Sequence, residues 1–339
     1  MLEKKLVSVI IANYNGEDYL ETCLTSVIDS IYKNYEVIIV DDGSEDKSVK
    51  IIKLFILRDS RIKLLENKKN KGAAASRNIA INKALGEIIV FLDNDTEVSK
   101  NWLNELLFSL EDKKVGAAQA LLLDFGQRGK IQMAGGYLIP HTGWLSAFFV
   151  EEDFLKCKNK LFEKNIIAIS AALAVRREVL ELVGNFDDKE AVTTEDLDLS
   201  WRIWIAGYRV VLSPKSIVFH HTQTLENRRY LQSLEKVYFH LAKNSFRSII
   251  KNYRVSNVLK FLPYSILVNL ARGFMVLIRR KSPSALNGTI KAFWWNVLNF
   301  KDTLEERKFV QRMRRFDDDF LLKRIFDKRT LIEIYGHYI

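Results

Sequence analysis

Two aspartates separated by one residue, Asp93 and Asp95, follow an apolar run and flank Asn94. A turn there can aim both carboxylates at one hard cation, and a divalent ion so held would neutralise a diphosphate and stabilise it as a leaving group. Taken alone, such a pair more often caps its own turn. Asp41 and Asp42 end an earlier apolar run. A carboxylate there could accept from a base N–H or a ribose hydroxyl, or Asp41-Asp42-Gly43-Ser44 could be a turn and a helix cap only. Tyr14 offers a ring for stacking on a nucleobase. Arg77 lies one turn into a helix after Gly72, within reach of phosphate oxygens.

A second acidic cluster stands about a hundred residues further on, in Thr194-Glu195-Asp196-Leu197-Asp198 at a predicted helix start. The helix macrodipole alone favours acids at that position. The chemical alternative is a general base that takes a proton from an acceptor hydroxyl. His220 and His221 follow the strand Ile217-Val218-Phe219, where either could complete a metal site or serve the structure. Attack by a hydroxyl needs a base on one side and leaving-group stabilisation on the other, and the chain supplies one acidic cluster for each. No signature of a covalent nucleophile accompanies them.

These residues need elements to bring them together. Leu6–Ile11, Glu36–Val40, Ile62–Leu65 and Glu87–Leu92 are short continuous apolar runs, predicted as strands. Between them, Leu20, Cys23, Leu24, Val27, Ile28 and Ile31 recur at helical spacing. Val49, Ile52 and Phe55 do the same in a helix that Ser44 could cap, and residues 72–84 form a third helix. Apolar strands alternating with amphipathic helices imply an α/β fold with a mostly parallel sheet covered on both faces. Ligands of such sheets bind beyond the carboxyl ends of the strands, so residues 13–15, 41–42 and 93–95 should converge on one edge. Residues 115–165 are broken by glycines and read as loops and short strands. Ile166–Val175, Arg209–Leu212 and Ile217–Phe219 are expected as later strands, with helices over Arg177–Val183 and Glu195–Ala206.

Taken in order, several of these stretches resemble the family 2 glycosyltransferases. They are Val9-Ile-Ile-Ala-Asn-Tyr-Asn15, Val40-Asp-Asp-Gly-Ser44, Asn70-Lys-Gly72 with Arg77-Asn78, and Phe91-Leu-Asp-Asn-Asp-Thr96. Gly184-Asn-Phe-Asp187, Thr194-Glu-Asp-Leu-Asp-Leu199 with Trp201-Arg202, and Ala206-Gly-Tyr-Arg209 extend the match over roughly residues 6–222. Each motif is weak, but their order and spacing together are specific. Within the family the chain looks most like the rhamnosyltransferase-type members of surface-polysaccharide assembly. It departs at Ala12-Asn13, where many members have Pro-Thr, and at Ser170-Ala171-Ala172, where a glycine often opens the acceptor strand.

The resemblance implies a GT-A fold and an inverting, metal-dependent transfer of a hexosyl or deoxyhexosyl group, by direct displacement, from a nucleotide-diphosphate sugar to a glycan or lipid-linked hydroxyl. It implies that Ala12, Tyr14, Asp42, Gly72, Arg77, Asp93 and Asn94 line the donor. Asp42 would meet the nucleobase, Tyr14 would stack near it, and Arg77 would meet the phosphates or the loop around them. Asp95, with Asp93 and His220, would hold Mn2+ or Mg2+, with His221 a close alternative to His220. Asp196 would be the base, with Glu195 and Arg202 orienting it or the acceptor. A catalytically inactive scaffold of the same fold, within a polysaccharide-assembly complex, is the rival reading, and the presence of Asp95 and Asp196 speaks against it. A nucleotidyltransferase would show a glycine-rich basic loop after the first strand. A dinucleotide oxidoreductase would show GxGxxG there, and Asn13-Tyr14-Asn15-Gly16 is neither.

Charge separates this region from the rest. The 339 residues carry a net charge of +10. Residues 1–230 hold 31 Lys/Arg against 33 Asp/Glu, and residues 231–339 hold 21 against 9. A catalytic domain over 1–228 and a helical, basic region over 229–339 are therefore expected. In the latter, residues 255–278 are strongly apolar, but the longest charge-free stretch, Phe261–Ala271, is shorter than the roughly 20 residues of a bilayer span. Arg279-Arg280-Lys281, Phe293-Trp294-Trp295 and Arg312-Met313-Arg314-Arg315 suit helices lying in a membrane interface, in preference to a helical subdomain or a dimer contact. No nucleic-acid motif accompanies the basic charge. Two distant cysteines, Cys23 and Cys157, and an N-terminus without a signal-peptide pattern point to the cytosol or the cytosolic face of a membrane.

Overall fold

The computed structural model describes residues 5–162, 164–191, 194–221 and 233–327. The chain opens with β1 (Val7–Asn13), α1 (Leu20–Ile28), β2 (Tyr35–Asp41), α2 (Ser48–Arg58), β3 (Ile62–Glu66), α3 (Ala73–Ile81) and β4 (Ile88–Asp93). It continues through β5 (Thr96–Val98), α4 (Trp102–Ser109), β6 (Val115–Asp124), β7 (Ile131–Met133), β8 (Gly136–Leu138), β9 (Leu145–Ala147) and the short α5 (Phe154–Cys157). Then come β10 (Ala172–Arg176), α6 (Arg177–Val183), α7 (Glu195–Ile205) and β11 (Arg209–His220). Five helices close the described chain: α8 (Leu234–Asn252), α9 (Val255–Arg280), α10 (Ser284–Leu298), α11 (Phe300–Arg312) and α12 (Asp318–Leu322).

Nine strands form one mixed sheet in the order β3-β2-β1-β4-β10-β6-β11-β5, with β7 also on β6. The first four of that order run parallel, and β10 is antiparallel to both β4 and β6. Alternation along the strands divides the core. Val7, Val9 and Ile11 face α1, α2 and α4, whereas Ile10 faces the layer of α3, α6 and α7. The register Ala12 to Asp93 and Asn13 to Asp41 sets the three expected polar strand ends side by side, as the strand pattern predicts.

Some elements differ from expectation for identifiable reasons. Residues 115–124, expected to be irregular, form the long inner strand β6, buried at all but its last position. Its alanine-rich, non-alternating composition suits a strand covered on both faces. The two late strands are one, β11, with a bulge between Ser213 and Ile217 around Pro214, which lacks an N–H for the ladder. The expected strand over 166–175 is regular only from Ala172. Ser44 caps no helix, since α2 starts at Ser48, and its hydroxyl instead donates to Asp41 Oδ1 at 2.6 Å. Cys23 and Cys157 are both buried free thiols.

The last third is helical, as expected, and the boundary expected at residue 228 lies outside the described residues. Residues 255–280 form one 26-residue helix, long and apolar enough by length and composition to cross a membrane, because Lys260 and Arg272 sit within the helix without ending it.

Helix α8 is joined to the body by buried charge. Lys251 Nζ lies 2.6 Å from Asp187 Oδ2 and 3.1 Å from both Glu190 Oε1 and Asp198 Oδ2. Arg247 Nε meets Asp187 Oδ2 at 2.7 Å and its NH2 meets Asp302 Oδ2 at 2.9 Å. The pairing holds Asp187 far below the usual carboxylate range despite its burial. Removing one partner would leave buried acids uncompensated. Lys251→Met is therefore expected to cost about 3–5 kcal/mol in a denaturant melt, in a single transition that unfolds body and helix together; a loss near zero would mean that the network does not join them.

Candidate active site

The site is built where β1, β2, β4 and β11 end. Asp41 shapes the first loop: its carboxylate accepts from Asn13 Nδ2 at 2.8 Å and from Ser44 N at 2.9 Å. Asn94 Nδ2 donates to Asn13 Oδ1 at 2.7 Å, which ties the β4 turn to the β1 turn. Gly16 permits that crossing, since a Cβ there would lie 2.2 Å from Asn94 Nδ2 and 2.3 Å from Asn13 Oδ1. Ala12 and Tyr14 flank Asn13 on the same strand end, both partly buried.

Asp42 organises the next loop. Its oxygens accept from Asn67 Nδ2 (2.8 Å), Lys71 N (3.0 Å) and Gly72 N (2.8 Å). Gly72 adopts φ +92° just before α3, a conformation that favours glycine. The carboxylate assigned by resemblance to the nucleobase is thus also the anchor that holds the Lys71–Gly72 backbone.

Asp93, Asp95 and His220 come together, with one ligand atom of each within 4.8 Å of the others. His220 Nε2 is 3.1 Å from Asp95 Oδ1 and 3.9 Å from Asp93 Oδ2. On its far side, Nδ1 lies 2.6 Å from Gln132 Oε1. That contact turns Nε2 toward the carboxylates, the arrangement a histidine ligand needs. Two carboxylates and one imidazole at this spacing fit a divalent cation of the Mn2+ or Mg2+ type. His221, the alternative, stacks on Phe125 with ring centroids 3.7 Å apart and packs against Tyr19, outside the cluster.

On the opposite side, Asp196 sits in the first turn of α7. Ser170 N donates to its Oδ2 at 2.9 Å and Leu197 N to its Oδ1 at 2.8 Å. Burial raises its carboxyl above the ordinary aspartate range, against the pull of those N–H groups and of Arg77. Glu195 is buried beside it, and its Oε2 has no hydrogen-bond partner. Burial and the adjacent Asp196 charge together push Glu195 up to about 7.

Arg77 and Arg202 are both held by carboxylates of the protein. Arg77 is buried and directed inward: NH2 meets Asp93 Oδ1 at 2.8 Å and NH1 meets Glu195 Oε1 at 2.9 Å. It joins Asp93 at the end of β4 to Glu195 at the start of α7. Arg202 also stands on α7. It lies six residues beyond Asp196 on another face, pairs with Asp198 at 2.8 Å, and donates to the carbonyls of Val183, Gly184 and Asn185 at the end of α6.

Sequence reasoning missed two supporting residues. Ser170, noted only as a departure from the family pattern, holds Asp196. Gln132, on a three-residue strand within a glycine-broken stretch, orients His220, and nothing in its local pattern marks it.

Comparison with known proteins identifies the family and the fold. Residues 8–184 match the family model described as glycosyl transferase family 2. A glycosyltransferase of Haemophilus influenzae is 42% identical over 111 residues, 32% of this chain and 44% of that one. A putative teichuronic acid biosynthesis glycosyltransferase of Bacillus subtilis, TuaG, is 40% identical over 104 residues, 31% of this chain and 41% of that one. The chain thus spans less than half the length of these relatives. Among solved structures, GalNAc-T7 with UDP, GalNAc and Mn2+ superposes with a TM-score of 0.68 at 18% identity, covering 98% of this chain and 58% of that one. The mixed sheet with its flanking helices is accordingly a GT-A fold. With a family match across more than half its length, including the strand ends that carry Asp42, Asp93 and Asp95, the chain belongs to glycosyl transferase family 2.

Proposed function

We propose that the chain is an inverting glycosyltransferase that moves a hexosyl or deoxyhexosyl group from a nucleotide-diphosphate sugar to a hydroxyl of a glycan or lipid-linked acceptor, in polysaccharide or glycoconjugate assembly. The observation that carries this reading is the single buried network Asp93–Arg77–Glu195. It links the Asp93–Asp95–His220 cluster to the start of α7, where Asp196, the base in this reading, stands beside Glu195. The TuaG relative is named for teichuronic acid biosynthesis, and the structural neighbour was solved with UDP and Mn2+, which supports the substrate class.

In this reading the nucleotide lies over the ends of β1 and β2, between Tyr14 and the Asp42-anchored Lys71–Gly72 loop. Asp93, Asp95 and His220 would hold Mn2+ or Mg2+, whose positive charge would offset that of the departing diphosphate. Asp196, held by Ser170 N and Leu197 N, takes the proton of the acceptor hydroxyl as its oxygen attacks the anomeric carbon from the face opposite the leaving group. Direct displacement inverts that carbon. Glu195, pulled up by burial, stays partly protonated and so limits the negative charge beside the base. Arg77 fixes the spacing of Asp93 and Glu195.

Three measurements test this. Thermal unfolding with UDP, dTDP, GDP and CDP, with and without manganese, is expected to give a manganese-dependent stabilisation by one nucleotide, lost in Asp95→Ala. Stabilisation by none, with or without metal, would favour the inactive scaffold. Asp196→Asn should retain nucleotide binding while turnover falls by about 10²–10⁴-fold; turnover near that of the parent would remove Asp196 as the base. Because the base must be ionised and its pKa is raised, kcat should be full on the alkaline side. It should fall as pH drops through a midpoint above the normal aspartate range of about 4, and an acid limb at or below that range would contradict the buried base.

A further inference from the structure

Helices α9 and α10 are built inside out. A helix at the surface of a water-soluble protein turns its apolar stripe to the core and its polar side to solvent. Here the buried positions of α9 are Ser265, Asn269 and Gly273, and those of α10 are Ala285, Gly288, Thr289, Ala292 and Asn296. The outward positions include Leu267 (64% exposed), Phe274 (54%) and Ile278 (64%) on α9, with Trp294 (58%) and Leu298 (82%) on α10. Only 22% of the most apolar window of α9 is buried.

The inner contacts are those of closely packed small and polar side chains. A Cβ at Gly273 would lie 2.9 Å from Leu286 Cα. Ser265 Oγ is 2.9 Å from Ser245 Oγ, and Asn296 Nδ2 donates to Lys243 O at 3.1 Å. Helices in lipid associate in this way, since hydrocarbon gives no drive to bury leucine against protein, and small or polar residues then make the contacts.

We propose that the outer face of α9 and α10 docks onto an anionic lipid membrane, lying in the interface without crossing it. Charge complementarity selects this occupant. Residues 231–339 hold 21 basic against 9 acidic residues, so a second copy would be repelled and anionic headgroups attracted. Arg279, Arg280 and Lys281 are exposed where α9 ends, and their long side chains can extend their charges to the headgroups. The in-plane orientation follows from the inner side of α9. Phe261 and Leu262 pack on the main core and Arg272 lies 4.1 Å over the ring of Trp144, so the helix rests along the protein rather than projecting from it.

Co-sedimentation of the full chain with vesicles tests this without any sugar donor, so its outcome and that of the transfer reading are separable. Binding is expected to phosphatidylcholine vesicles containing phosphatidylglycerol, to weaken in phosphatidylcholine alone, and to be released by a carbonate wash. Leu267→Glu and Trp294→Glu, at exposed positions, should each lower it by about tenfold, with melting temperature unchanged and the Asp95→Ala variant binding as the parent does. Failure to bind either vesicle, equal binding by the glutamate variants, or retention through the wash would overturn the proposal. So would a dimer in sedimentation velocity that those variants dissociate, since the face would then belong to a second copy.

Discussion

The site depends on one buried guanidinium. Arg77 touches Asp93 with one nitrogen and Glu195 with another, and so joins residues 118 positions apart in sequence, Arg77 and Glu195, across the cleft. A planar fork can satisfy two carboxylates in fixed directions, which a lysine ammonium does not. Without it, Asp93, Glu195 and Asp196 would be acids crowded at low dielectric with nothing to offset their repulsion. Desolvation and the neighbouring charge already hold Glu195 and Asp196 above their ordinary ranges with Arg77 present. The guanidinium thus sets the spacing of Asp93 and Glu195, and its charge offsets part of the rise that burial imposes on Asp196.

The same reasoning extends outward from α7. Its first turn carries Glu195 and Asp196 into the cleft, while Asp198 points to the opposite side and meets Arg202, Lys251 and Asn252. One short acidic segment therefore serves two networks. The second fastens α8 to the body through Asp187 and Glu190, so the placement of the base and the attachment of the C-terminal helices share a helix. Isolated buried acids would be costly, and here each is matched by a cation or an N–H.

Much of this was legible in the residues. The strand–turn–helix pattern of the first hundred residues, the convergence of Asn13, Asp42 and Asp93 at one edge, and the chemistry open to Asp95, Asp196 and a histidine all follow from apolar runs ending in polar clusters. Strand β6 and the single β11 were not legible. An alanine-rich run has no alternation to reveal it, and Pro214 disguises one strand as two. The full length of α9 was not legible in its charge-free stretch, because a helix continues through Lys260 and Arg272 when its neighbours support it.

Local pattern determined which residue types stand at strand ends and helix starts, because periodicity and turn chemistry are properties of neighbouring residues. Tertiary structure alone decided what each side chain does. His220 rather than His221 faces the aspartates because Gln132 and Phe125 claim the two rings differently. Arg77 turned inward and Arg202 was assigned to the end of α6 because the nearest unmatched charge or carbonyl lay there. Such partners come from distant segments, and Coulomb attraction and desolvation act on distance in space, which spacing along the chain does not encode.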